Sequence, residues 1–163
     1  MLLGKVMAEA AMREDKYVTW LPTYGAEVRG GTAHCMVVIS DTEIGSPYIE
    51  KADTLIAMNE PSLKKFKNRI KSKGLVIINR SLAGSDIELD KNWNIIRYPF
   101  TDIAIRLGNI KVANMVALGC FINQKNIVDL KSISFVIQAI APEDKRGLIE
   151  VNQKALLEGV KLK

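Results

Sequence analysis

The chain has 163 residues, 48% of them apolar and 25% charged, which is enough to bury one hydrophobic core and too apolar for wholesale disorder. No apolar run reaches the ~18–20 residues that span a bilayer. Two cysteines, Cys35 and Cys120, and one histidine, His34, exclude a disulfide scaffold, a four-thiolate cluster and a His-rich metal site.

The opening residues 1–5 (MLLGK) show no basic stretch leading into an apolar run and a cleavage site, so a cytoplasmic, reducing compartment is expected. The net charge of +5 is local. Residues 64–73 (KKFKNRIKSK) hold six cations and no acid, and the rest of the chain carries −1 once these six are subtracted from +5.

In chain order, residues 2–14 predict a helix, with Leu3, Val6, Met7 and Ala10 at helical spacing. Residues 17–21 (YVTWL) predict a strand stopped by Pro22. A glycine-rich loop follows at 24–32, then a strand at 33–40 (AHCMVVIS), apolar on both faces as in a buried strand. Residues 54–58 (TLIAM) predict a further strand ending at Asn59, and Pro61 opens a helix running to about Lys71. Strands are expected at 75–78 (LVII), ending at Asn79, and at 95–98 (IIRY), cut off by Pro99. The remainder is mostly helical: a nearly all-apolar helix at 111–123, another at 129–140 and an amphipathic one at 143–160.

Strands alternating with helices predict one α/β domain over 1–163, Rossmann-like, with a mostly parallel sheet covered by helices on both faces. Ligands of such sheets bind in loops beyond the carboxyl ends of the strands. The loop 24–32 (YGAEVRGGT) draws attention first. Its glycines permit close backbone approach, and consecutive glycines can turn N–H groups into an anion-binding nest. Arg29 adds a planar charged fork suited to phosphate or carboxylate, and Glu27 stands two residues away to orient it. The plainer alternative is a glycine-rich turn bearing a weak surface ion pair.

The stretch 24–40 (YGAEVRGGTAHCMVVIS) resembles a signature segment of the gamma subunit of the 2-oxoacid:ferredoxin oxidoreductases, of the 2-oxoglutarate/2-ketoisovalerate type. Two later stretches agree in order and spacing: 52–61 (ADTLIAMNEP), and 108–119 (GNIKVANMVALG), which fits GN-x-K-x-x-NM-x-x-LG. The resemblance implies an enzyme that converts a 2-oxoacid and coenzyme A to an acyl-CoA and CO2, passing electrons to ferredoxin. It implies thiamine diphosphate, magnesium and iron–sulfur clusters on partner alpha, beta and ferredoxin-like delta subunits, with coenzyme A as co-substrate. The chain itself is then non-catalytic and holds no metal. Its expected binding residues are Tyr24, Gly25, Glu27, Arg29, Gly30, Gly31, Thr32 and Asn59. Both 2-oxoglutarate and branched-chain oxoacids fit the resemblance, pyruvate less well. One departure stands out: the first strand and glycine loop with which such subunits usually open are missing here, as if the true start lay upstream.

The other residues have plainer readings beside the functional ones. Asn59 and Asn79 either donate to a ligand or simply end strands. Asn114 either makes a structural hydrogen bond or meets a partner. His34 and Cys35 are adjacent on a strand and must point to opposite faces, which excludes a catalytic pair, and Cys120 reads as a small hydrophobe. The 64–73 patch suits coenzyme A phosphates, an acidic subunit or plain solvation. Its single aromatic, Phe66, argues against nucleic acid. The apolar helix 111–123 is either central to the core or buried between chains, and in a domain this small part of it is expected to meet a partner or a symmetry mate. The rival to the subunit reading is a stand-alone α/β nucleotide-binding or regulatory module.

Overall fold

The computed structural model describes residues 1–23, 33–84, 87–143 and 146–162. The first helix, α1 (Leu2–Arg13), buries Val6, Met7, Ala10 and Ala11 along one stripe. Two strands follow, β1 (Tyr17–Thr23) and β2 (His34–Ser40), paired antiparallel from Tyr17↔Ser40 to Thr23↔His34. Three more strands, β3 (Ala52–Ala57), β4 (Ile70–Asn79) and β5 (Asn94–Tyr98), form a parallel sheet in the order β3-β4-β5. The helices between and after them are α2 (Glu60–Phe66), α3 (Phe100–Arg106), α4 (Ala113–Lys125), α5 (Leu130–Ala139) and α6 (Gly147–Val160).

The parallel α/β core agrees with the sequence, with three corrections. First, β2 does not enter the parallel sheet. It forms a separate two-stranded ladder with β1, and all of its residues are half-buried rather than fully buried. Two apolar runs this close in sequence pair most directly as antiparallel neighbours, whereas parallel pairing needs a long crossover. Second, Pro22 does not stop β1. It pairs in register with Cys35, because a strand with one free side tolerates a missing N–H.

Third, the helix begun near Pro61 ends early. A single 3-10 turn, Lys67–Arg69, follows α2, and β4 starts at Ile70. Ile70 is 6% exposed, so this apolar residue anchors the strand inside the basic segment. Pairing to β3 then slips between Ala52 and Thr54, and Lys73 takes up φ 63°. Gly74 is needed there, since a Cβ would lie 2.6 Å from Ile70 Cγ2 and 2.9 Å from the Lys71 carbonyl oxygen.

Strand β4 supplies both layers. Leu75 and Ile77 point into the larger core with α1, α3, α4, α5 and α6, while Val76 and Ile78 point the other way to pack with Leu63 of α2, Ala83 and Ile87. The helix α4 is apolar all round because it is central to this core, with nine of its residues buried within the chain. No partner is needed to explain its composition.

Helices α4 and α6 touch backbone to backbone. A Cβ on Gly119 would collide with the Leu156 carbonyl oxygen, and one on Gly159 with that of Val116. Gly119→Ala is therefore expected to cost about 1–3 kcal/mol or more through overpacking against rigid backbone. Gly45, with nothing within 4 Å of a built Cβ, serves as control. Equilibrium urea unfolding should show a large loss for Gly119→Ala and almost none for Gly45→Ala.

Candidate functional site

The carboxyl ends of β3, β4 and β5 converge on one polar knot. Asn79, at the end of β4, is fully buried. Its Nδ2 donates to the Met58 carbonyl just past β3 (3.0 Å) and to Thr101 Oγ1 at the start of α3 (2.8 Å). Its Oδ1 accepts from the Thr101 N–H at 3.3 Å. A buried amide is costly unless its donors and acceptor are matched, and here each is used. Thr101, also buried, is the partner that sequence reasoning missed. The available signal was a hydroxyl residue two positions after Pro99, at the first turn of a helix.

Around this knot the chain turns are laced by backbone bonds. The Arg80 N–H donates to Tyr98 O (2.9 Å), the Leu82 N–H to Asn79 O (3.1 Å) and the Glu60 N–H to Leu82 O (3.0 Å). The Asp102 N–H donates to Ser81 Oγ at 3.3 Å, and Arg97 Nη1 donates to Gly84 O at 3.1 Å. Asn59 is the N-cap of α2, its Oδ1 accepting from the Ser62 N–H at 3.0 Å. Its oxygen is thus spent on structure. Glu60 bonds Lys64 (2.6 Å) and receives the Gly84 N–H, and Lys64, then Gly84, hold its carboxyl below the usual carboxylate range.

Of the sequence-predicted binding residues, Asn59 is the one within the described residues, and it lies in this region. Tyr24, Gly25, Glu27, Arg29, Gly30, Gly31 and Thr32 lie outside the described residues. The described roots of their loop are Thr23 and His34, which pair with each other. His34 and Cys35 do face opposite ways. The His34 ring stacks on Phe66 of α2 with centroids 4.5 Å apart, while Cys35 Sγ lies against Gly4 of α1. Cys120 is fully buried, and desolvation pushes its thiol up to about 11. Asn114 Oδ1 accepts the Met115 N–H in the first turn of α4, a bond within its own helix and not to a neighbouring loop.

The basic segment is a staple rather than an open cationic stripe. Lys64 pairs with Glu60 and Lys71 with Asp53 (2.9 Å). Lys67 donates to Glu88 O, and Arg69 donates to the carbonyls of Ile49 and Glu50 while covering the Tyr48 ring. These contacts tie residues 48–50 and Asp53 of β3 to the start of β4 and the turn before it. A concavity of about 480 Å³, open to solvent, is lined by Glu14, Lys16 and residues 126–130. Its polar groups are also engaged: Glu14 Oε1 accepts from the Asp129 N–H (2.7 Å), and Lys16 pairs with Asp41, which raises the Lys16 pKa. No group of three or more His, Cys, Asp or Glu that could hold a metal occurs among the described residues. Chemically, the described residues of the carboxyl edge offer amide, hydroxyl and guanidinium groups, which are suited to binding.

The model of the pyruvate ferredoxin/flavodoxin oxidoreductase family matches residues 1–162. The chain belongs to that family. Ketoisovalerate oxidoreductase subunit VorA of Methanothermobacter marburgensis is 34% identical over 160 residues, covering 96% of this chain and 32% of the relative. The chain thus spans about a third of that protein. 2-Oxoglutarate synthase subunit KorC of Methanocaldococcus jannaschii is 32% identical over 160 residues, covering 97% of this chain and 84% of the relative. The crystal structure of the gamma subunit of the keto/oxoacid ferredoxin oxidoreductase from Geobacter sulfurreducens aligns with TM-score 0.81 at 27% identity, covering 97% of this chain and 87% of that one. The 2-oxoglutarate:ferredoxin oxidoreductase of Magnetococcus marinus, solved with 2-oxoglutarate, coenzyme A and succinyl-CoA bound, shares the fold with TM-score 0.87 at 22% identity, covering 99% of this chain and 28% of that one.

Two outcomes are expected. Asn79→Ala strands the buried Thr101 N–H and Met58 carbonyl, at about 1–3 kcal/mol for each group left unpaired. Asn59→Ala loses one exposed cap, about 1 kcal/mol. Urea titration should separate the two variants in that order.

Thiol titration of the native protein at pH 8 should modify Cys35 at most, with Cys120 reacting only on unfolding. Because burial raises the Cys120 pKa above its unfolded value of 9.0, the unfolded state loses its thiol proton first. The thiol's contribution to stability is therefore full below pH 9 and declines from pH 9 to 11. Cys120→Ala should remove that alkaline component.

Proposed function

We propose that this chain is the gamma subunit of a 2-oxoacid:ferredoxin oxidoreductase. The enzyme oxidatively decarboxylates a 2-oxoacid with coenzyme A to an acyl-CoA and CO2, and its electrons pass to ferredoxin. The observation that carries the reading is the family match over residues 1–162, together with the 0.81 TM-score to a gamma subunit. In this reading the chain is one 1–163 domain of a cytoplasmic hetero-oligomer with alpha, beta and ferredoxin-like delta subunits. No described helix is long and apolar enough to cross a membrane.

The division of labour is the one the resemblance implies. In support of it, the chain has only two cysteines, too few for a four-thiolate cluster. The thiamine cofactor, its magnesium and the iron–sulfur clusters are assigned to the partners, and no step is routed through them here. For coenzyme A the donors at the carboxyl edge are suitable. Asn59 Nδ2 and the exposed Arg80 would meet anionic or carbonyl oxygens, and the 24–32 loop with Arg29 would take a phosphate. Relatives named for ketoisovalerate and for 2-oxoglutarate match at 34% and 32% identity, so selection of the acid is assigned to the other subunits.

The test is co-expression with alpha, beta and ferredoxin-like delta subunits, followed by 2-oxoacid- and coenzyme A-dependent reduction of ferredoxin. A stable complex with this activity is expected. A chain that stays alone and binds a nucleotide directly would overturn the reading in favour of a stand-alone module. Within the active complex, Arg29→Ala is expected to raise the KM for coenzyme A by roughly tenfold, as loss of one charge-assisted hydrogen bond does. Unchanged KM values with assembly intact would remove Arg29 from the site.

A further inference from the structure

The turn between α3 and α4 carries features that the fold does not consume. Helix α3 closes with Gly108 at φ 85°, the Asn109 N–H donating to Ala104 O (3.1 Å) and the Gly108 N–H to Ile105 O (2.9 Å). Asn109 Oδ1 then caps the next turn by accepting the Lys111 N–H at 3.0 Å. The segment joined by these closures carries Ile105 and Ile110, 56% and 58% exposed. Two exposed isoleucines within six residues, each next in sequence to a cation (Arg106 and Lys111), are surface that the core does not use.

The charge here is also unspent. Residues 103–128 contain Arg106, Lys111 and Lys125 but no Asp or Glu. Arg106 and Lys111 are exposed and take part in none of the ion pairs among the described residues. The cations of α2 and the foot of β4, by contrast, are largely tied to neighbouring carboxylates and carbonyls.

We propose that the 105–111 turn is an anchor by which this chain docks on another subunit of its complex. The partner surface is an apolar recess rimmed by Asp and Glu. The inference rests on the subunit reading above and specifies the partner's chemistry. Ile105 and Ile110 fill the recess as a desolvated centre, while Arg106 and Lys111 meet the acidic rim and steer encounter. A second copy is disfavoured as occupant, because a two-fold contact would set Arg106 and Lys111 against their own equivalents.

The full-length chain and its separately purified partner subunits provide the test, read as a dissociation constant at low salt and again at high salt. The joint variant Ile105→Asp, Ile110→Asp should weaken association by roughly tenfold or more. The joint variant Arg106→Glu, Lys111→Glu should slow association at low salt, with the deficit shrinking as salt rises. Because this second variant leaves the apolar surface unchanged, it decides the matter should the first fail to fold. Partners that bind wild type and the charge-reversed variant equally overturn the anchor and leave the subunit reading standing. Wild type failing to bind the partners removes the subunit reading, and the anchor with it. Variants that change only self-association of the isolated chain also overturn the proposal.

Discussion

One buried amide holds the business end of the sheet together. Asn79 spans from the Met58 carbonyl beyond β3 to the backbone and hydroxyl of Thr101 at the head of α3. The carboxyl ends of all three parallel strands are thereby fixed relative to one another, and the turns that leave them inherit that geometry. Hydrophobic burial would hold β4 in place on its two faces, but it is non-directional. The directional bonds of Asn79 set where Asn59, Arg80 and Ser81 stand.

The α/β core was legible because its signals are redundant. Residues 54–58 and 75–78 are continuous apolar runs, Asn59-Glu60-Pro61 starts a helix at the cap, and Pro99 closes a strand; each agrees with its neighbours. What escaped depended on tertiary competition. Ile70 looked like part of a basic helix until the core claimed it for β4, and Gly74 became the price of the resulting slip in register. His34 to Ser40 looked like a fully buried strand because its composition reports apolarity and not the number of covering layers. At the site, Asn79 was read as either a ligand donor or a turn residue, and it is neither in full. Its role depends on Thr101, 22 positions away, and no local pattern links the two.

The same contrast applies to charge. Six cations in ten residues suggested an external partner, yet several of them secure residues 49–50, Asp53 and Glu88 to the start of β4 and the turn before it. Arg106 at the end of α3 and Lys111 after it, each next to an exposed isoleucine, take part in none of the ion pairs among the described residues, and composition alone gives little warning of this. The described polar groups serve largely to fix the sheet edge, and the fold they hold is that of the family matched over residues 1–162.

Amide hydrogen exchange in wild type and Asn79→Ala addresses the central claim most directly. The account predicts that protection falls locally and together at Glu60, Arg80, Thr101 and Asp102, while the amides of α4 and α6 keep theirs. Unchanged protection at Thr101, or an even loss across the whole chain, would contradict the view that this one side chain ties the strand ends together.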